Sequence, residues 1–518
     1  MACMMSSLRF LYNSIVLSLV PKSLASVNFT LGSVLISAGV LAVWYSQLKK
    51  SDGFYPLYSI PFIGSCSFFV NREKFLDMAT KASLSGKTPK FSVFGHTVVI
   101  PTGEQARKLF FFSRTLDNGE GFQILTGHAP RIEEVMENRP ANQKRFALFI
   151  RRTHSLLHRD RLEKLIPELF SDLNTHMNSW PKNDQVDPFA NSFGLMFHMT
   201  MRSQCAREFA DDLSTLHGMG ELLRFWNSEQ EFSFNNAFTS WAPGSVVQKR
   251  KKAIGDLYGI LTDIIKKRGD EGRCENDAFQ FMLDQGDTID DIFPYMLWIV
   301  FIGTAPSAIV ANWVLMFLKT HPEWDTKVRN ELQSLCGEHC PDLALPAHVR
   351  FAQIPLDAWE GSTPVMEAVI TETVRIVSTE PAFRRNIGGD VELNGLKVER
   401  GEFLMYPFGI EQMNKDNYPN PSTWNPARWA DPAKFEHDRS QGKFLGWGIG
   451  MHPCLGMRIA KLYIKFTVAL FIHNFEYSRV DRSGKVYHDV PVPNLSDTHC
   501  LLPKGKGHFL HIKRKSES

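Results

Sequence analysis

The sequence has no tract of biased composition and no internal repeat, so neither a low-complexity arm nor a solenoid is expected. It has little net charge. Lysine and arginine number 58 against 55 aspartates and glutamates, and the resulting +3 points to no nucleic-acid partner. Cysteine is sparse: the eight, at 3, 66, 205, 274, 336, 340, 454 and 500, fall in no disulfide or zinc spacing. Cys336-x-x-x-Cys340 is the nearest to a pair and reads as a loop coincidence, so reduced thiols facing the cytosol are expected. Missing too is any glycine-rich nucleotide motif or flavin domain. A redox reaction on this chain would therefore draw its electrons from a separate partner.

What is present begins with length and a 43% hydrophobic share, enough for one large globular body. Within residues 1–26 the run Phe10–Val20 ends at Pro21 and suits a membrane interface rather than a span. No charge occurs from Ser23 to Leu48, and residues 27–48 hold the apolar stretch Phe29–Tyr45. Its length is close to the roughly twenty residues that cross a bilayer. Trp44 and Tyr45 suit an interface and Lys49-Lys50 its cytosolic side. A cleavable signal is the competing reading; lysines where a small-residue cleavage site belongs favour a retained anchor. Residues 49–65, with Pro56, Pro61 and Gly64, read as a stiff hinge, and 66–518 as the body. There Lys90–Thr102 alternates like a hairpin. Ala141–Leu157, Arg161–Asn178, Lys251–Arg268, Ile289–Thr320 and Val365–Ile376 have helical periodicity, so the fold is expected to be mainly α with a minor β part. The basic run Lys249–Lys252 reads as a solvated helix start or a contact with anionic lipid.

Phe444–Ala460, FLGWGIGMHPCLGMRIA, sets Cys454 in a glycine-punctuated loop that runs into an apolar-periodic helix. Glycines let backbone approach a flat ligand, and the free amides of a helix start favour a thiolate. A lone cysteine beside a glycine turn reads as readily as a core thiol, and its neighbours decide. Trp447, Gly450, His452, Cys454 and Gly456 resemble the haem-binding loop of the cytochrome P-450 family, with Trp447 where phenylalanine is usual. The resemblance implies a cytochrome P-450 fold, a single haem domain behind the anchor, and heme b with Cys454 as the axial iron ligand. Such a thiolate pushes electron density to iron and favours O–O cleavage.

The distant companions of that loop are present too. Glu372 and Arg375 (ETVR) lie three apart on one helical face, and WNPARW brings Arg428 downstream. They are similar to the family's triad, in which one carboxylate is shared by two guanidinium groups and locks the cysteine loop. In EPAFRRNIGGD, Arg385 stands at the family's propionate-binding position, five before Asp390, and His452 at a second. Arg384 is its strand neighbour and Phe383 the expected apolar substrate contact. The family's Trp-x-x-x-Arg pair lacks its tryptophan within Asn142–Arg161, and neither Arg151 nor Arg152 takes a firm role.

FIGTAPSA, 301–308, falls on the family's oxygen-activating motif. Gly303, beside the substrate, and Ser307 are kept, whereas Ala305 and Pro306 replace the acid and the alcohol that relay protons. Pro306 cannot donate to the Ile302 carbonyl, so the helix should bend there. The freed carbonyl is expected to hold a water that, with Thr304 or Ser307, takes over the relay. Pro306 and Trp447 are similar to the branch holding bile-acid sterol hydroxylases and prostacyclin synthase; the overall texture is similar to fungal membrane-bound members. The implied activity is oxidation, with dioxygen, of an apolar terpenoid, sterol-like or other specialised metabolite. The implied electron donors are NADPH–cytochrome P-450 reductase and cytochrome b5. The implied location is the endoplasmic reticulum membrane, single-pass, with a cytosolic haem domain. The alternative is an isomerase or dehydratase that rearranges a peroxide without external electrons. Arg458, Lys461 and Lys465, on one face of the helix after Cys454, are the expected docking cations for the reductase.

Overall fold

The computed structural model describes residues 53–515 apart from 58–64, 66, 69–70, 94–95, 122–141, 213–215, 217–245, 379–380 and 497–500. The expected anchor and most of the expected hinge lie outside the described residues.

Helices dominate. α1 is Arg72–Leu84, α2 Gly103–Phe112, α3 Asn142–Leu156, α4 Arg159–Ser179, α5 Pro188–Gln204 and α6 Arg207–Asp211. Next come α7 (Val246–Glu271), α8 (Ala278–Asp284), α9 (Ile289–Thr320) and α10 (Pro322–His339). Two short helices, α11 (Ala347–Ala352) and α12 (Leu356–Gly361), lead into α13 (Pro364–Val377). The last are α14 (Gly409–Gln412), α15 (Pro432–Ser440) and α16 (Met457–Asn474). Strands β1 (Tyr55–Pro56), β2 (Pro89–Val93), β3 (His96–Val99), β4 (Leu116–Asp117), β6 (Pro381–Asn386) and β9 (Phe403–Pro407) form one sheet, ordered β1-β2-β3-β9-β6-β4. A second sheet is built of β5 (Asn183–Val186), β10 (Phe475–Val480) and β11 (Phe509–Arg514), and a small hairpin of β7 (Val391–Leu393) and β8 (Leu396–Val398). The mainly helical body with a minor β part is thus as the periodicity implies. Pro56, expected in the hinge, lies in β1, which pairs with β2 in parallel.

α9 is the axis. Thr288 and Asp291 close its first turn as a capping box, Asp290 and Asp291 favour its positive end, and Pro322 starts the next helix. Among the described helices it is the one long and apolar enough to cross a membrane, yet it is largely buried in the body, packed on α5, α13 and α16. A helix apolar all round is what a core position requires. The helix runs unbroken through Pro294 and Pro306. The main core cluster gathers residues of α4, α5, α9, α10, α13 and α16, and so places α13 and the cysteine loop beside α9.

Candidate active site

On α13, Glu372 and Arg375 are both 0% exposed and joined by two hydrogen bonds of 2.8 Å. Arg428, in the 3-10 turn Pro426–Trp429, donates to Glu372 Oε1 at 3.3 Å. The Asn425 amide (3.0 Å) and the Trp429 indole (2.9 Å) fill the remaining lone pairs. The three charged residues expected to meet do meet. A buried pair so fully satisfied is costly to break, because removing one partner strands the other's charge.

A residue that sequence reasoning missed carries this lock to the cysteine loop. Arg375 Nη1 donates to the Gln412 carbonyl at 2.7 Å, and Gln412, fully buried, donates through Nε2 to Arg375 O (2.9 Å) and Ser378 O (2.6 Å). Its Oε1 accepts from the Leu445 amide at 3.1 Å. The loop is then closed by Gly448 N to Leu445 O (2.8 Å), Met451 N to Phe111 O (2.9 Å) and Cys454 N to Trp447 O (2.7 Å). At Gly450, φ is +69° and a Cβ would lie 2.1 Å from Phe111 O, so the loop could not seat on α2 with any other residue. Gly456 differs: a Cβ there would meet only Ile459, at 3.9 Å. Among the described residues nothing demands glycine at 456, so the room it leaves is open.

β6 reverses the expected order of the arginines. Successive strand residues point to opposite faces, and here Phe383 shares its face with Arg385, Ala382 with Arg384. Arg385 pairs with Glu120 at 2.8 Å and stays partly exposed. Arg384 is buried over Phe110, bonded to Asn118 Oδ1 and to Phe383 O (2.7 Å), with Nε unpartnered. Burial pushes its guanidinium down to about 10. It also acts on His452, whose imidazole is lowered to about 4, first by burial and then by Arg384, with Asp117 opposing. The basic side chain facing the cysteine loop is therefore Arg384, not Arg385. Phe383 is corrected as well: it is buried in the aromatic cluster of Phe68, Phe75, Phe91 and Phe403, on the sheet face away from Arg384. Of the helix α3 arginines, Arg152 is bound by Asp287 at 2.5 and 2.7 Å, tying α3 to the start of α9, and Arg151 is exposed.

On α9, Ile302 is 42% exposed and Pro306, one turn on, is exposed too, with Ala305 and Gly303 half-buried. Exposure on a core helix marks the wall of a recess. Thr304 and Ser307 are buried on the opposite side, and Thr304 Oγ1 has no partner. They do not stand with Ala305 and Pro306, which corrects the expected relay. Gly303 packs toward Thr200 of α5 rather than along the exposed stripe. The small apolar cavity of about 30 Å³ lined by Met201, Cys205, Phe209 and Met296 contains none of these residues.

Cys454 is accessible, yet burial pushes its thiol up, with the Gly456 amide and Arg439 opposing. A thiol in this setting ionises when a metal ion binds it. Beside it, Trp447 Nε1, His452 Nδ1 and Arg384 Nε are buried without partners. A thiol, an open glycine and unpartnered donors fit a flat iron cofactor that carries carboxylates. The expected docking cations are otherwise engaged. Arg458 is bound by Glu360 (2.5 and 2.9 Å), and Lys461 and Lys465 by Glu367 (2.8 and 2.5 Å), with Lys465 buried.

The cytochrome P-450 family model matches residues 55–496. The chain is 29% identical to cytochrome P-450 monooxygenase nsrP of Aspergillus novofumigatus, over 88% of this chain and 89% of that one. It is 27% identical to monooxygenase dmxR5 of a Cryptosporiopsis species, over 90% and 94%. Among solved structures, a retinoic-acid-bound cyanobacterial CYP120A1 shares the fold, with a TM-score of 0.68 at 16% identity over 89% of this chain and 98% of that one. With that family match running through both the ion lock and the thiol loop, this chain belongs to the cytochrome P-450 family and is a haem-binding monooxygenase.

Proposed function

We propose that Cys454 is the thiolate ligand of the haem, that Arg384 and His452 hold its carboxylates, and that Trp447, Gly450 and Gly456 wall its thiolate side. The observation that carries this reading is the buried relay from Glu372 and Arg375 through Gln412 to Leu445, nine residues before Cys454. Haem, when bound, supplies the oxidising chemistry, while the protein positions, excludes water and sets charge. The exposed stripe of Ile302, Ala305 and Pro306 offers an apolar wall, which supports an apolar substrate such as a terpenoid, a sterol-like ring system or another specialised metabolite. The Ile302 carbonyl, which Pro306 cannot hydrogen-bond, is the group left to hold a water near the reaction. Electrons come from NADPH–cytochrome P-450 reductase, and residues 27–48 anchor the body to the endoplasmic reticulum membrane.

The test uses the full chain in microsomes. Reduced carbon monoxide spectra should show the thiolate-type Soret shift, which Cys454→Ser abolishes, and an apolar substrate should be oxidised only with reductase and NADPH. The missing acid and alcohol at Ala305-Pro306 favour a second reading, peroxide rearrangement. Turnover of a hydroperoxide without reductase or NADPH, with no hydroxylation, would replace the first reading by the second.

A further inference from the structure

Residues 292–297 and 310–318 of α9 are buried on every side of the helix, and open space meets it only between them. There Trp298, Phe301, Ile302, Ala305, Pro306 and Ile309 are partly or fully exposed, while the residues between them, Gly303 apart, are buried. Offsets of three, four, seven, eight and eleven from Trp298 lie on one helical face. One exposed stripe, closed at both ends, is the wall of one recess. At 1.5 Å per residue it is about 17 Å long.

The wall is not uniform. Ile302, Ala305, Pro306 and Ile309 offer carbon alone. Trp298 brings an indole that packs on the core cluster shared by α5, α7 and α9 and is met edge-on by Phe301, with centroids 6.3 Å apart at 83°. No described residue accepts a hydrogen bond from its Nε1–H, and that group is not sealed from solvent as those of Trp359 and Trp447 are. An indole N–H only donates. On this wall it is the one directed polar side chain, the kind of group that orients a ligand in an apolar pocket. Ala305, seven residues on, points within about 20° of the same bearing, about 10 Å further along the axis.

We infer, on the haem reading above that puts the reaction beside Ala305 and Pro306, that Trp298 selects the substrate. It takes a rigid fused-ring or biaryl molecule bearing an acceptor oxygen, a ketone or a hydroxyl, about 10 Å from the carbon that is oxidised. The oxygen accepts from the indole N–H and the far end of the ring system lies at the Ala305 turn. An unfunctionalised terpene hydrocarbon would cover the indole and leave its donor unpaired, which a site built for an acceptor rejects.

Ligands anchored at the iron test this in the full chain in microsomes. 4'-(Imidazol-1-yl)acetophenone binds iron through its imidazole and carries a ketone at its far end; 1-(4-ethylphenyl)imidazole has the same shape without the oxygen. Spectral titration should give the ketone about three- to tenfold tighter binding. Trp298→Phe, which keeps an aromatic ring and removes the N–H, should erase that preference. Equal affinities in the wild type overturn the inference, as does a ketone preference that survives in Trp298→Phe. A wild type without the thiolate-type Soret band overturns the haem reading itself, and this inference with it.

Discussion

β6 presents two adjacent arginines to opposite faces of one sheet, and the two differ in what their loss should cost. Arg384 is buried against the cysteine loop, where a charge-assisted hydrogen bond to a carboxylate is worth about 1.5–3 kcal/mol. Arg385 makes a half-exposed pair with Glu120, a kind worth about 0–1 kcal/mol. Arg384→Leu should therefore lower the haem bound per folded chain roughly tenfold or more, and Arg385→Leu should leave it nearly unchanged. Haem content from the reduced carbon monoxide spectrum, normalised to folded protein, checks this; equal losses in the two variants would remove the assignment of Arg384. Motif spacing selects Arg385 because it counts residues, whereas the proposal for Arg384 rests on the strand's alternation, in which a shift of one flips the face. Gln412 was illegible for another reason. It acts through its side-chain amide on backbone atoms of Arg375, Ser378 and Leu445, and that leaves no characteristic residue type at the other end. Glu372, Arg375 and Arg428 were legible because their charges and spacing are the interaction itself.

At the scale of the element, α9 was readable from end to end because period, caps and a following proline all agree. Its faces were not, since the motif alone does not say which side chains look into a recess. At about 100° per residue, Ile302 and Pro306 share the exposed stripe while Thr304 and Ser307 turn into the core. The proposed water relay at this turn therefore rests on position 306 and the Ile302 carbonyl rather than on those two hydroxyls. Pro306→Thr would place a hydroxyl on the exposed stripe and return an N–H to the Ile302 carbonyl. Product formed per NADPH consumed should rise in that variant, while Thr304→Val and Ser307→Ala should leave the ratio as it is. Measuring product and NADPH together decides it, and an unchanged ratio in Pro306→Thr would count against any part for this turn in proton delivery.

For the molecule as a whole, the cations after Cys454 hold helices together rather than wait for a partner. Sequence spacing puts Arg458, Lys461 and Lys465 on one face, but cannot say that α16 pairs that face with Glu360 of α12 and Glu367 of α13, with Lys465 buried. Burial alone would raise the Glu367 carboxyl; Lys465 and Lys461 outweigh it and hold the group below the ordinary value of 4.5. A carboxyl with a depressed folded value adds stability that is present above the unfolded value and is lost as pH falls through the folded one. The urea midpoint of the holoenzyme should thus be insensitive to this pair at pH 6–8, on the order of two units above that value, and begin to fall below about pH 4.5. Glu367→Gln should lower the midpoint at neutral pH, by leaving Lys465 buried without its counter-charge, and flatten the decline below about pH 4.5. Lys461→Glu, which sets a like charge beside Glu367, should lower stability without making the rate of reduction by reductase more salt-sensitive. An acid decline as steep in Glu367→Gln as in the wild type would sink the assignment of that pair. A large salt-dependent loss of reduction in Lys461→Glu at unchanged stability would return these cations to the docking surface.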